Sequence, residues 1–323
     1  MHSSRMYSIP GLPLIGKSSF GNTLVNGSKR VPKPAKGIIA CLIIQMFYLL
    51  KSFIQMKILL NNDDLNEALK NVSKLGFVPT MGGLHQGHIS LIKQSKNQCK
   101  ETIVSIFVNP TQFNDKRDFL KYPRNTKKDL SILKKLKVNF VYIPKSKDIY
   151  NFDRKIKIAK KDMILCAKFR RGHFEGVIDV MDRLTKRIKP QKIFMGEKDY
   201  QQLYLVKNYL KKKSNAKIVL CKTIRDNFGL ALSSRNLHLN TKELITARYI
   251  SGDLSSFKKK LAKSKKISQL ISSKIKEYNN LKDIKIEYLE VRNRFNLKKS
   301  LKIKNSKIFI AYFLRIVRLI DNV

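Results

Sequence analysis

From Met56 onward the chain alternates short apolar runs with amphipathic ones, and this alternation constrains the fold more than any other feature. Gly76-Phe77-Val78 reads as a short buried strand and Ile89 to Cys99 as a helix. Thr102 to Val108 is rich in β-branched residues and reads as a strand. Asn125 can cap a helix carrying Leu130, Leu133 and Leu136, and Val138 to Ile143 is strand again. After His173, the residues Val177, Val180, Met181, Leu184 and Ile188 fall at helical spacing, with Pro190 just past the end. Ile193 to Met195 (strand), Tyr200 to Leu210 (helix) and Ile218 to Cys221 (strand) continue the series. Strands and helices in this alternation build βαβ units, hence an α/β fold with a parallel sheet and helices on both faces. Ligands of such sheets sit beyond the carboxyl ends of the strands.

The pattern changes after Asn236. Asn240 followed three residues later by Glu243 makes a capping-box start to a long Lys-rich helical region. Ile284 to Val291 and Lys307 to Leu314 then read as strands of a smaller α+β part. The expected division is residues 1–55 as an extension outside the fold, 56–236 as the nucleotide-binding part and 237–323 as a lid-like part.

Lys and Arg number 67 against 23 Asp and Glu, a net charge of +44. Such a charge suits a nucleic-acid or anionic-membrane partner. However, the lysines run from end to end with no Arg-rich arm, which favours a solvated surface and neither a specific nucleic-acid partner nor a membrane partner. Cys41, Cys99, Cys166 and Cys221 are widely spaced with no zinc-like pattern, and read as reduced thiols of a cytoplasmic protein. Before Met56 there is no acidic residue, and Gly37 to Leu50 is apolar but for Gln45. A membrane anchor, a targeting segment or an extension foreign to the fold would each fit; the natural start at Met56-Lys57-Ile58-Leu59-Leu60, where the ordered pattern begins, favours the last.

The candidate chemistry lies in loops after the strands. Pro79-Thr80-Met81-Gly82-Gly83-Leu84-His85-Gln86-Gly87-His88 sets two imidazoles three residues apart in a glycine-rich turn before a helix. Such a turn lets backbone approach a phosphate, and the helix end favours an anion. Asn109-Pro110-Thr111-Gln112-Phe113 can grip a polar substrate or simply turn the chain. Gly196-Glu197-Lys198-Asp199-Tyr200-Gln201-Gln202 offers an ammonium, a carboxylate and amides, or a surface turn capped by Asp199. Ser233-Ser234-Arg235-Asn236 suits a phosphate clamp or an ordinary loop.

The H-x-G-H arrangement resembles the signature of the adenylyl- and cytidylyltransferase superfamily. PTMGGLHQGH, VSIFVNPTQF, RRGHFEGV, GEKDYQQL and GLALSSRN, in this order, resemble the pantothenate synthetase (pantoate–β-alanine ligase) family, as does the terminal Arg318-Leu319-Ile320-Asp321-Asn322. The resemblance covers Met56 to Val323 and implies a Rossmann-like parallel sheet of the HxGH nucleotidyltransferase type with a smaller C-terminal α+β domain. It also implies a homodimer and a two-step reaction: pantoate and ATP give pantoyl adenylate and pyrophosphate, and β-alanine then displaces AMP. His85, His88 and Lys198 are implied in catalysis. Met81, Gly87, His88, Gly196, Lys198, Asp199, Ser233, Ser234 and Arg235 are implied at ATP, with Asp199 near Mg²⁺. Gln112, Gln202 and Asn109 are implied at pantoate. Arg171 replaces the family's usual Pro, Ala167 a common Gly, and Phe228 an acidic residue, which leaves the loops around them in question. Two other readings are an HxGH nucleotidyltransferase with another acceptor and a binding protein that exploits the charge.

Overall fold

Residues of the parallel sheet alternate between two apolar layers, and this alternation builds the larger part of the molecule. The structure is a computed structural model that describes residues 56–323. The expectations for residues 1–55 lie outside the described residues. Strands β1 (Lys57–Leu59), β2 (Leu75–Thr80), β3 (Glu101–Ile106), β4 (Phe140–Tyr142), β5 (Lys192–Gly196) and β6 (Lys217–Cys221) form a six-stranded sheet. The order is β1-β4-β3-β2-β5-β6 and every pairing is parallel.

Phe77, Ile103, Phe140 and Ile193 face one layer, which also holds α1 (Asn62–Leu69), α4 (His173–Ile188) and α5 (Tyr200–Leu210). Their neighbours Val78, Val104, Val141 and Phe194 face the other layer, with α2 (Gln86–Gln98) and α3 (Thr126–Lys135). The chain leaves β2 toward β3 on one side, and β5 joins β2 on the other. The carboxyl ends of β2 and β5 therefore flank the switch point of the sheet, where such folds bind ligands.

The C-terminal part begins with the expected capping box: Glu243 N donates to Asn240 Oδ1 (3.0 Å) and Asn240 N to Glu243 Oε2 (2.8 Å). The Lys-rich region is two helices, α6 (Thr241–Ala262) and α7 (Ile267–Asn279). β7 (Ile284–Asn293), β8 (Ser306–Leu314) and β9 (Val317–Asn322) form an antiparallel sheet in that order. Ile308, Ile310, Tyr312 and Leu314 of β8 pack with α6 and α7, whereas Phe309 and Ala311 join the main core. This alternation seats the small sheet between its helices and the parallel-sheet part. Among the described residues no helix is long and apolar enough to cross a membrane.

Three elements lack a strong signal in the sequence. β1 has only three residues, and the eight-residue α1 buries just Leu65. β9 ends on the buried polar pair Asp321 and Asn322, where an apolar alternation is interrupted.

Candidate active site

The turn after β2 is held from a distance. Gly82 and Gly83 take φ of +82° and +63°, a region that favours glycine. The backbone N–H groups of Gly83 and Leu84 donate to the carboxylate of Asp129 on α3 at 2.9 and 2.8 Å. Asp129 is buried, and these two donors satisfy its carboxylate oxygens. His85 caps α2: its Nδ1 accepts from Gly87 N at 3.1 Å. His88 Nδ1 accepts from His85 N at 3.3 Å.

An Nδ1 that accepts carries no proton, so in each neutral ring the hydrogen is on Nε2. Both rings are held neutral. Burial, then the Lys198 ammonium, lowers the pKa of His85. Burial, then His85 itself, brings His88 down to about 3. The result is a pair of neutral N–H donors with ring centroids 4.2 Å apart. A side chain at Gly87 would strike the His85 ring at 2.7 Å, so this glycine makes room for the imidazole.

The loop after β3 forms a tight turn, Pro110–Gln112, capped by Asn109. The Asn109 carboxamide is committed on both sides. Its oxygen accepts from Tyr150 Oη (2.6 Å) and from Thr111 N (3.3 Å). Its Nδ2 donates to Gly176 O (3.1 Å) and to Gln112 Oε1 (3.2 Å). Gln112 Nε2 points at Met81 Sδ, 2.8 Å away. Asn109 thus orients Gln112, and Gln112 reaches across to the His turn. A Cβ on Gly176 would lie 2.4 Å from Thr111 O, so α4 and this loop pack backbone to backbone.

His173 plays a different part from the other two imidazoles. Its Nδ1 donates to the Gln112 carbonyl at 2.6 Å, leaving Nε2 to accept from Arg170 Nη1 at 2.9 Å. Burial and then Arg170 lower its pKa to about 3. No role for His173, Arg170, Tyr150 or Asp129 follows from the motif reading. Their signals are single polar residues whose partners lie far away in sequence.

After β5, Lys198 Nζ lies 3.7 Å from Asp199 Oδ1. Asn322 Nδ2 donates to the carbonyls of both Glu197 and Lys198, 2.9 Å each, and ties this turn to the end of β9. After β6, Ser233 Oγ accepts from Arg235 N at 3.3 Å, and Ser234 Oγ lies 3.5 Å from Tyr122 Oη. Arg235 pairs with Asp118 at 3.1 Å.

The departures from the family pattern are accommodated. Arg171 is exposed and its carbonyl accepts from Asn114 Nδ2, while Gly172 (φ +82°) still starts α4. Ala167 is buried in the short helix Cys166–Phe169. Phe228 is exposed, with the Arg248 guanidinium 4.3 Å from its ring centroid. The turn before Gly229 is closed by Asp226, which accepts from Phe228 N (3.0 Å) and Leu230 N (2.9 Å). An acidic residue at 228 is therefore not needed to close it.

Every residue assigned above to ATP, pantoate or chemistry lines one cavity of about 280 Å³ at the switch point. Gln202 and Gly196 open onto it with the rest, and a Cβ on Gly196 would meet nothing within 4 Å. The imidazoles, Lys198 and Arg235 supply donors and charge for phosphate, and Gln112 and Gln202 supply neutral polar groups. Asp199 is a half-exposed carboxylate among them (side chain 48% exposed). Among the described residues no group of three His, Cys, Asp or Glu could form a closed metal cage. One carboxylate beside a polyphosphate fits a hydrated divalent ion carried on that substrate.

Over residues 56–323 the chain matches the family model for pantoate-beta-alanine ligase. It is 39% identical over 274 residues to pantothenate synthetase of Campylobacter hominis, covering 83% of this chain and 99% of that protein. The fold is similar to the crystal structure of pantothenate synthetase from Thermus thermophilus (TM-score 0.78, 28% identity, 83% of this chain and 99% of that one). It is also similar to the ligase from Francisella tularensis, crystallised with beta-gamma ATP and beta-alanine (TM-score 0.70, 36% identity, 83% and 97% covered). The chain belongs to the pantoate-beta-alanine ligase family.

Proposed function

We propose that this cavity joins pantoate to β-alanine at the expense of ATP, through a pantoyl adenylate, with the residue roles set out below. The pantoate carboxylate attacks the α-phosphorus, a P–O bond forms, and the bond to the bridging oxygen breaks with its electron pair leaving on pyrophosphate. The β-alanine amine then attacks the acyl carbon, and AMP departs with one former carboxylate oxygen. The substrate carboxylate is itself the nucleophile, so the protein supplies position and charge stabilisation.

His85 and His88 donate through Nε2–H to the phosphate as charge builds on it. Lys198, Ser233, Ser234 and Arg235 hold the polyphosphate, while Met81, Gly87 and Gly196 border the nucleotide. Gln112 and Gln202 bind pantoate, with Asn109 setting the Gln112 carboxamide. Asp199 would help hold a Mg²⁺ ion carried on the phosphates, and such an ion would supply charge neutralisation there. In this reading residues 56–236 form the nucleotide- and pantoate-binding part and 237–323 the lid-like part. A homodimer in the cytoplasm belongs to the same proposal.

The observation that carries this reading is the convergence of paired neutral imidazoles, Lys198, Arg235 and the two glutamines in one cavity. Pantoate labelled with ¹⁸O in its carboxylate tests it. Label in AMP after turnover with β-alanine is expected, and label in pyrophosphate or in free phosphate would contradict attack at the α-phosphorus.

A further inference from the structure

Beside the main cavity lies a smaller one of about 50 Å³, which shares Arg170, Lys198, Asp199, Ser233 and Arg235 with it. Its far wall is C-terminal: Tyr312 of β8 and residues 318–321 of β9. Arg318 enters from this wall. Its Nη2 pairs with Glu287 and donates to Cys166 Sγ at 3.3 Å, so the guanidinium is fixed. The remaining nitrogen, Nη1, is buried and has no hydrogen-bond partner among the described residues. A buried donor left unpaired costs free energy unless a ligand completes it.

Arg170 lines both cavities. Its side chain donates to His173, and among the described residues no carboxylate forms a salt bridge with it. Burial, then the like charges of Arg235 and Arg318, lower its pKa to about 10, so it remains cationic at neutral pH. Among the described residues Arg235 forms a salt bridge with Asp118 alone, whose side chain is 44% exposed and so weakly held. Three guanidinium groups therefore converge beside the Lys198 ammonium, with Asp199 and Asp321 the carboxylates that line the same space. Gln112 and Gln202 line only the larger cavity, so this space adjoins the phosphate side of the site and not the pantoate side.

We infer that Arg170 and Arg318 complete a leaving-group pocket that binds the terminal phosphates of ATP and then pyrophosphate, with Arg318 delivered by the C-terminal sheet. The inference rests on the adenylate-forming reading above. It gives the small sheet a direct contact with the substrate: β9 supplies a donor that engages the group carrying away the electron pair. A carboxylate, such as that of β-alanine, could be held by the same guanidinium chemistry, and the test separates the two.

Inorganic pyrophosphate is the probe, its affinity measured by calorimetry on the whole enzyme and on Arg170→Gln and Arg318→Gln. Each variant should bind pyrophosphate about tenfold more weakly or worse, the scale of one lost charge-assisted bond. Arg170→Lys should recover part of the loss. Because Arg318→Gln strands Glu287, the double variant Arg318→Gln/Glu287→Gln is measured beside it and should show the same loss. Unchanged pyrophosphate affinity in Arg170→Gln and in the double variant would overturn the pocket. So would a raised KM for β-alanine with pyrophosphate unaffected, which would assign the guanidiniums to the amino-acid carboxylate. Pantoate-dependent exchange of pyrophosphate into ATP by the unaltered enzyme separates this outcome from failure of the functional reading, which alone predicts that exchange.

Discussion

Asn322, next to last in the chain, donates from one amide nitrogen to the backbone carbonyl of Lys198, 124 residues earlier, at 2.9 Å. The same nitrogen serves the Glu197 carbonyl, and the Arg225–Asp321 pair (2.6 Å) fixes the strand end beside it. The turn that presents the Lys198 ammonium is thus anchored by the C-terminal sheet.

Asn322→Ala removes both donations and leaves two carbonyls short of a partner, at a cost of roughly 1–3 kcal/mol. The expected outcome is a several-fold weaker affinity for ATP with a smaller change for pantoate, because Gln112 is held by the separate loop after β3. Isothermal titration with each substrate reads the difference. Equal losses for both substrates would mean that the anchor supports the whole fold and not the Lys198 turn.

Gly176→Ala probes the other side of the cavity. The added methyl would collide with the Thr111 carbonyl at 2.4 Å, so the Pro110–Gln112 turn must move away from α4. Overpacking of this kind costs typically 1–3 kcal/mol. It should displace Gln112 and raise the KM for pantoate more than that for ATP. A variant with normal pantoate KM and normal stability would show that the turn has slack the packing does not suggest.

Acid should destabilise the fold through its buried imidazoles. His88 and His173 both have pKa values near 3 in the folded protein, against about 6.5 in an unfolded chain. Between these values the unfolded chain binds more protons, so stability is full above about pH 6.5 and falls as pH drops toward 3. At pH 5 each residue should cost roughly 1–2 kcal/mol. Urea midpoints from pH 7.5 to 5 measure this slope, and His173→Gln should reduce it. A midpoint that does not change over that range would mean that these rings are not buried neutral.

Much of this architecture is legible in the sequence because it rests on periodicity. Phe77 and Val78, or Ile193 and Phe194, point to opposite layers as alternating apolar residues should, and the loops after β2, β3, β5 and β6 bring the expected residues together. The Asn240–Glu243 cap is likewise local. The supports of the site have no such pattern. Asp129 reaches the His turn from 46 residues away, His173 reaches Gln112 across 61, and Arg318 contacts Cys166 across 152. Each is one polar residue whose partner is set by tertiary packing, and neither period nor spacing marks it. β9 is hidden for a related reason: its polar end is buried because it bonds to the site, not because it is apolar.

The central claim is that a neutral His85, its Nδ1 tied to Gly87 N, donates from Nε2 to the α-phosphate as pantoate attacks. Pantoate-dependent exchange of labelled pyrophosphate into ATP, without β-alanine, isolates that step. His85→Ala should slow the exchange by about 10²–10³-fold, the scale of one preorganised donor, while ATP binds nearly as before. His85→Asn should not restore it, since a shorter amide cannot both cap the helix and reach the phosphate. Exchange at close to the unaltered rate in either variant would contradict the account and leave His85 as a helix cap alone.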